Sequence, residues 1–162
     1  MNMKPIYVLV FISIFSISCQ QKKNQAVEVI TMNNTRPINE LKELVLLKGD
    51  TMAYVELKTA YLNEKYKEEY LLYSIIMADK YNYPSAYYQV YDCLTSVFER
   101  QGRTIDKDTK ALALKYLNKG VDLNECQATK ELGKLYLEGK YIPKDTILGK
   151  KLSVKGRKIC GF

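Results

Sequence analysis

The pentapeptide IPKDT at 142–146 repeats, with one change, the IDKDT at 105–109. Near-copies 37 residues apart mark a supersecondary unit used more than once, which leaves few folds open to a chain of this size. Around the second copy, Ala128, Leu132 and Tyr136 fall four residues apart and so share one helical face. Gly139 follows as a helix stop, Ile142 plugs a turn, and Asp145 is placed to cap the next helix with its carboxylate.

The same order runs upstream. Ala86, Val90 and Leu94 take the face positions, and Ile105 and Asp108 take the plug and cap. The stretch ERQGR lengthens the turn between them, and the helix DTKALALKYLNKG that follows is expected to stop at Gly120. A third set is Ala53, Leu57 and Tyr61, followed by the partner helix YKEEYLLYSIIMADKY. Asp50 caps the first set, Pro84 suits the first turn of the second, and Asn124 with Gln127 makes a capping-box pattern before the third. An additional helix, PINELKELVLLK, opens the array and stops at Gly49. Its stripe of Ile38, Leu41, Leu44 and Val45 can cover the first unit. Two-helix units at periods of about 35–40 residues predict an all-α protein of the α-solenoid kind.

The run from Ala128 to Gly139, A-x-x-x-L-G-x-x-Y-x-x-G, resembles the Sel-one-like repeat, a short relative of the tetratricopeptide repeat. The resemblance is sharp over 128–145 and loose over 49–156. Unit two has Val90-Tyr91 where Leu-Gly is usual, and unit one has Lys58 in the glycine place. The resemblance implies a short right-handed solenoid of about three repeats behind an N-terminal capping helix. It also implies an adaptor or scaffold surface in place of an active site.

The front of the chain carries an address. Lys4 precedes an apolar run, Ile6 to Ile17, too short to span a bilayer and suited to a secretory signal. With Ser18 and Cys19 at its end, the segment resembles a bacterial lipoprotein signal. The resemblance implies cleavage before Cys19, lipidation of its sulfur, and, from Gln20 in place of Asp, outer-membrane sorting. An ordinary cleaved signal with Cys19 left free is the alternative. The expected plan is a signal peptide at 1–18, a polar tether at 19–34 and a repeat domain at 35–162.

Composition narrows the chemistry. Histidine is absent, which removes Ser-His-Asp and Cys-His catalysis and histidine metal ligands. The four cysteines show no C-x-x-C spacing, so neither a metal site nor a cofactor is expected. A Cys126–Cys160 bridge is conceivable in an oxidising envelope. The preferred expectation is that Cys93 is a small buried hydrophobe and the other two remain unpaired. The net charge of +7 is spread out, and the cluster from Lys150 to Lys158 is expected to be a solvated face. The carboxylate pairs, such as adjacent Glu68 and Glu69, show no dyad spacing. Exit from the cytoplasm argues against nucleic acid.

Tyrosine carries the interaction signal: ten of the fourteen lie between 54 and 91. Tyr54, Tyr87, Tyr88 and Tyr91, with Lys58, Lys130 and Lys134, are the candidates for a concave binding face. The expected function is non-enzymatic: an envelope-anchored protein that binds another protein, in one version an immunity protein neutralising a toxin. The alternative is a glycan-processing accessory or enzyme of the envelope.

Overall fold

The computed structural model describes residues 36–61 and 67–161. The expected signal, Cys19 and the tether therefore lie outside the described residues. Seven α-helices follow one another, and no strand occurs among the described residues.

Helix α1, Ile38–Glu43, runs on into a π-helical turn, Leu44–Lys48. Leu41 and Val45 are fully buried, and Ile38 and Leu44 pack on the same cluster. The turn ends at Gly49, where glycine is required twice. Its φ is 63°, and a Cβ there would meet the Tyr81 ring at 2.4 Å. The Tyr81 hydroxyl also donates to the Leu46 carbonyl at 2.8 Å, which locks the corner.

Helix α2, Thr51–Ala60, is capped by Asp50, whose carboxylate accepts from the Ala53 N–H at 2.8 Å. Helix α3 is Lys67–Asp79, and α4, Pro84–Arg100, begins with proline in its first turn. Helix α5, Lys107–Asp122, departs from expectation at both ends. Asp106, not Asp108, is its N-cap, accepting from the N–H groups of Asp108 and Thr109 at 3.1 and 2.9 Å. Both aspartates can cap. The earlier start adds residues to the helix and leaves Asp108 in the first turn, where a negative charge suits the dipole. Gly120 does not stop α5. It is buried inside the helix, where a Cβ would come within 2.9 Å of Ala128 Cβ.

Asn124 is likewise not the cap of α6, Cys126–Glu138. It turns the chain with φ 54°, and Glu125 caps the helix by accepting from the Ala128 N–H. Asparagine tolerates that left-handed geometry better than most residues, which explains its place at this corner. Gly139 ends α6 at φ 71°. Helix α7, Thr146–Cys160, is capped by Asp145, which accepts from Ile147 and Leu148 N–H at 3.0 and 2.9 Å.

Each helix packs on the next, and α4 also meets α6. Two apolar clusters result. The first joins the π turn to α1–α4 through Leu41, Val45, Leu57, Met77, Ala86 and Val90. The second joins α4, α5 and α6 through Tyr91, Ala113, Leu117, Ala128, Leu132 and Leu135.

The last hairpin corrects the cysteine expectation: Cys126 and Cys160 form a disulfide, with Cα atoms 5.3 Å apart. The antiparallel pairing of α6 and α7 sets the first residue of one beside the last residue of the other. A seam of small residues brings the backbones close. A Cβ on Gly133 would lie 2.9 Å from Ser153 N and 3.0 Å from the Gly149 carbonyl. Cys93 is buried in α4 and takes no part in the bridge.

Candidate partner-binding surface

Helices α4 and α6 touch each other although α5 lies between them in the chain. On α4, Tyr88 and Tyr91 stand with ring centroids 6.4 Å apart. The Tyr91 hydroxyl reaches across to Glu131 of α6 at 3.4 Å, a long hydrogen bond. Further along, Glu99 meets the connection that leaves α6. It accepts from Lys140 Nζ at 2.7 Å and from the Tyr141 hydroxyl at 3.2 Å. Lys140 Nζ also sits 5.2 Å from the centre of the Tyr141 ring. Tyr141 holds this position with φ 66°, a conformation uncommon for a bulky residue, and strain of this kind concentrates at binding sites.

The electrostatics keep the phenols neutral and the ends charged. Burial, reinforced by Glu131 and Glu99, pushes the Tyr91 phenol well above its ordinary value. Burial, with Asp92 and Glu131 adding to it, pushes Tyr88 up to about 12. Partial burial is the largest single influence on Glu99 and works against its ionisation, yet the hydrogen bonds from Lys140 and Tyr141 and the charges of Lys140 and Lys134 together outweigh it and hold the carboxyl below the usual range. The face is therefore an aromatic patch with hydroxyl donors, edged by Glu131 and Glu99 on one sign and Lys134 and Lys140 on the other.

Of the expected residues, the structure brings Tyr88 and Tyr91 together with Lys134 at the charged edge, while Lys130 turns toward α7. Tyr91 itself is buried and supports the face from beneath, Tyr88 is half-buried, and Lys134 is exposed. Lys130 lays its stem across Gly156 and, with Gln127, Lys134 and Arg157, lines a shallow cleft of about 280 Å³ between α6 and α7.

Tyr54 does not line an open face. It is 2% exposed, stacks on Tyr70 at 5.4 Å, meets Tyr83 edge-on at 5.8 Å, and donates to Ser74 Oγ at 2.9 Å. Rings this broad fill the space between α2, α3 and α4 better than aliphatic side chains would. Tyr87 is buried too. Its hydroxyl donates to Asn82 at 2.8 Å and its ring lies 6.1 Å from that of Tyr116. It contributes to a separate open groove of about 510 Å³ beside Asp79, Lys115, Tyr116, Lys119 and Asp122. Lys58 is exposed on α2 and stands outside both groups.

Glu99, Glu131, Lys140 and Tyr141 are residues of the face that the helical pattern did not single out. Glu131 and Lys134 follow the face residue Ala128 by three and six positions, so helical spacing alone sets them on neighbouring turns. The Glu99 contact joins residues more than forty apart and has no local signal. No group of three His, Cys, Asp or Glu among the described residues is placed to hold a metal ion. No helix among them is long and apolar enough to cross a membrane. No family model matches this sequence, and neither a curated protein nor a solved structure matches it significantly.

Proposed function

We propose that this chain is a short α-solenoid of Sel-one-like units, anchored in the bacterial envelope through Cys19, whose α4–α6 face binds another protein. The observation that carries this reading is that half-buried Tyr88 rests on buried Tyr91, which reaches across to Glu131 of a sequence-distant helix, so that an aromatic ring is set among charged edges. Broad, rigid rings with a polar tip, next to charges that set orientation, suit protein recognition. Contacts of each helix with the next, together with contact between α4 and α6, support a stacked arrangement of repeats. Within this reading, neutralisation of a toxin is the specific role an envelope-tethered array of this size suits.

The test is site-specific photo-crosslinking in a Gram-negative envelope, with the probe placed at Tyr88, at Lys134 and, as control, at Lys58. One dominant protein captured from Tyr88 and Lys134 but not from Lys58 supports the reading. Equal capture at all three, or none while the protein is intact in the membrane, sinks it.

The enzyme alternative draws on the open groove, where Asp79 and Asp122 share a wall with Tyr87 and Tyr116. Asp79 is already engaged, accepting from the Tyr116 hydroxyl at 2.7 Å. Envelope glycan cleavage abolished by Asp122→Asn would replace the binding proposal.

A further inference from the structure

Helix α7 presents two faces of opposite character. Toward α6 it turns Gly149, Ser153, Gly156 and Cys160, the residues of the close seam and the bridge. At about 100° per residue, the side opposite is centred on Lys151 and Lys158, with Ile147 and Val154 on one shoulder, Lys155 on the other and Lys150 at its edge. All six are exposed. Ile147 is 83% and Val154 56% accessible, unusually open for β-branched hydrophobes. The helix holds five basic residues and no acidic one. None of the four lysines forms an ion pair with another described residue.

We propose that this outward face of α7 docks on an anionic lipid bilayer. The chemistry of the stripe selects the occupant. Lysines with long apolar stems stand beside Ile147 and Val154 on this side, so the cations can reach phosphate headgroups while the two hydrophobes enter the headgroup boundary. An all-basic face complements a surface of uniform negative charge, and the helix, about 22 Å long, can lie flat on it. The seam and the disulfide occupy the far side of α7, so docking needs no rearrangement of the hairpin. The proposal does not depend on lipidation of Cys19 or on a protein partner, and it fails or stands separately from both.

The experiment uses the full chain, bridge intact, co-sedimented with vesicles of phosphatidylcholine alone and of phosphatidylcholine mixed with phosphatidylglycerol. The apolar run near the N-terminus contributes to both, so the quantity read is the gain on adding the anionic lipid. Replacing Lys150, Lys151, Lys155 and Lys158 by Gln should reduce that gain roughly tenfold or more, and Arg at the same positions should restore it. The pair Ile147→Ser and Val154→Ser should reduce it as well, while raised salt weakens the wild-type gain. Circular dichroism confirms that each variant is folded; Lys151→Gln and Lys158→Gln singly serve if the quadruple variant is not. An undiminished gain in the Gln variants overturns the proposal. So does a Ser pair without effect combined with full competition by polyglutamate, which would assign the face to an acidic protein.

Discussion

Asp106 and Asp145 cap α5 and α7 with the same pair of hydrogen bonds, from different places in the same five-residue phrase. Each carboxylate accepts from the N–H groups two and three residues ahead, at 2.9 to 3.1 Å. Asp106 is the second residue of IDKDT, whereas Asp145 is the fourth of IPKDT, because Pro143 stands where the first copy has its capping acid. Asp145→Ala should therefore cost about 1 kcal/mol in urea unfolding. Asp106→Ala should lower the midpoint, and Asp108→Ala, which loses only a first-turn charge, should lower it less. Equal losses at Asp106 and Asp108 would contradict the assignment.

The Asp106 cap also predicts a pH dependence. Hydrogen bonds from the Thr109 side chain and N–H hold its carboxyl below the ordinary aspartate value. A depressed folded pKa means that the contribution is complete above the unfolded value and disappears as the pH falls through the folded one. Between about pH 6 and about pH 2.5, wild type should lose more of its urea midpoint than Asp106→Asn, which has no proton to take up there. Parallel curves for the two proteins would rule this out.

Core and surface tyrosines should separate cleanly. Tyr54→Ala removes a ring buried among Tyr70 and Tyr83 and should cost about 3–5 kcal/mol. Tyr54→Phe should cost only about 1 kcal/mol, because Ser74 keeps its own bond to the Tyr70 carbonyl at 3.0 Å. Tyr88→Ala should change stability far less, yet abolish the crosslinked product expected at Lys134. Chemical denaturation of the three variants, beside crosslinking of the last, checks both halves.

The α6–α7 seam should resist any added methyl group. Gly133→Ala gains helix propensity, but its Cβ would press on the Ser153 and Gly149 backbones, which cannot move aside as a flexible side chain could. A net loss of about 1–3 kcal/mol is expected by denaturation, and a stabilised variant would contradict the close approach.

Loss of the bridge should weigh more heavily. Its 34-residue separation corresponds to about 3–4 kcal/mol of loop-closure entropy in the unfolded chain. Cys126→Ser with Cys160→Ser should lower the urea midpoint to match that of wild type held in reductant. If reductant lowers the wild-type midpoint but the double variant is as stable as the bridged protein, the bridge is not the cause.

The helices were legible wherever apolar residues recurred every four positions, as at Ala53, Leu57 and Tyr61 or Ala128 and Leu132, because burial on one face enforces that spacing. Gly139 and Gly49 were legible as stops for the same local reason. Starts were harder to read. Asp106 and Asp108 are chemically equivalent caps two residues apart, and Asn124 and Glu125 adjoin, so the outcome rests on where the turn before each helix leaves the chain. Gly120 looked like a stop but makes room for Ala128, a contact between helices that no window along the chain contains. The tyrosines divided for a similar reason. Tyr54 and Tyr87 each follow a face alanine, Ala53 and Ala86, and both are buried, whereas Tyr88, one residue further on, is half-buried, and only the third dimension shows which neighbours each ring meets. The bridge depended on an antiparallel register set by Gly133, Gly149 and Gly156, of which only the first stood out in the repeat pattern.

The Cys126–Cys160 bond has a consequence beyond stiffness. A chain retained in a reducing compartment keeps both thiols, while one delivered to an oxidising compartment closes the ring. Each molecule thus carries a chemical record of where it folded, one that a thiol-alkylating mass tag can read in whole cells without any knowledge of what the protein does.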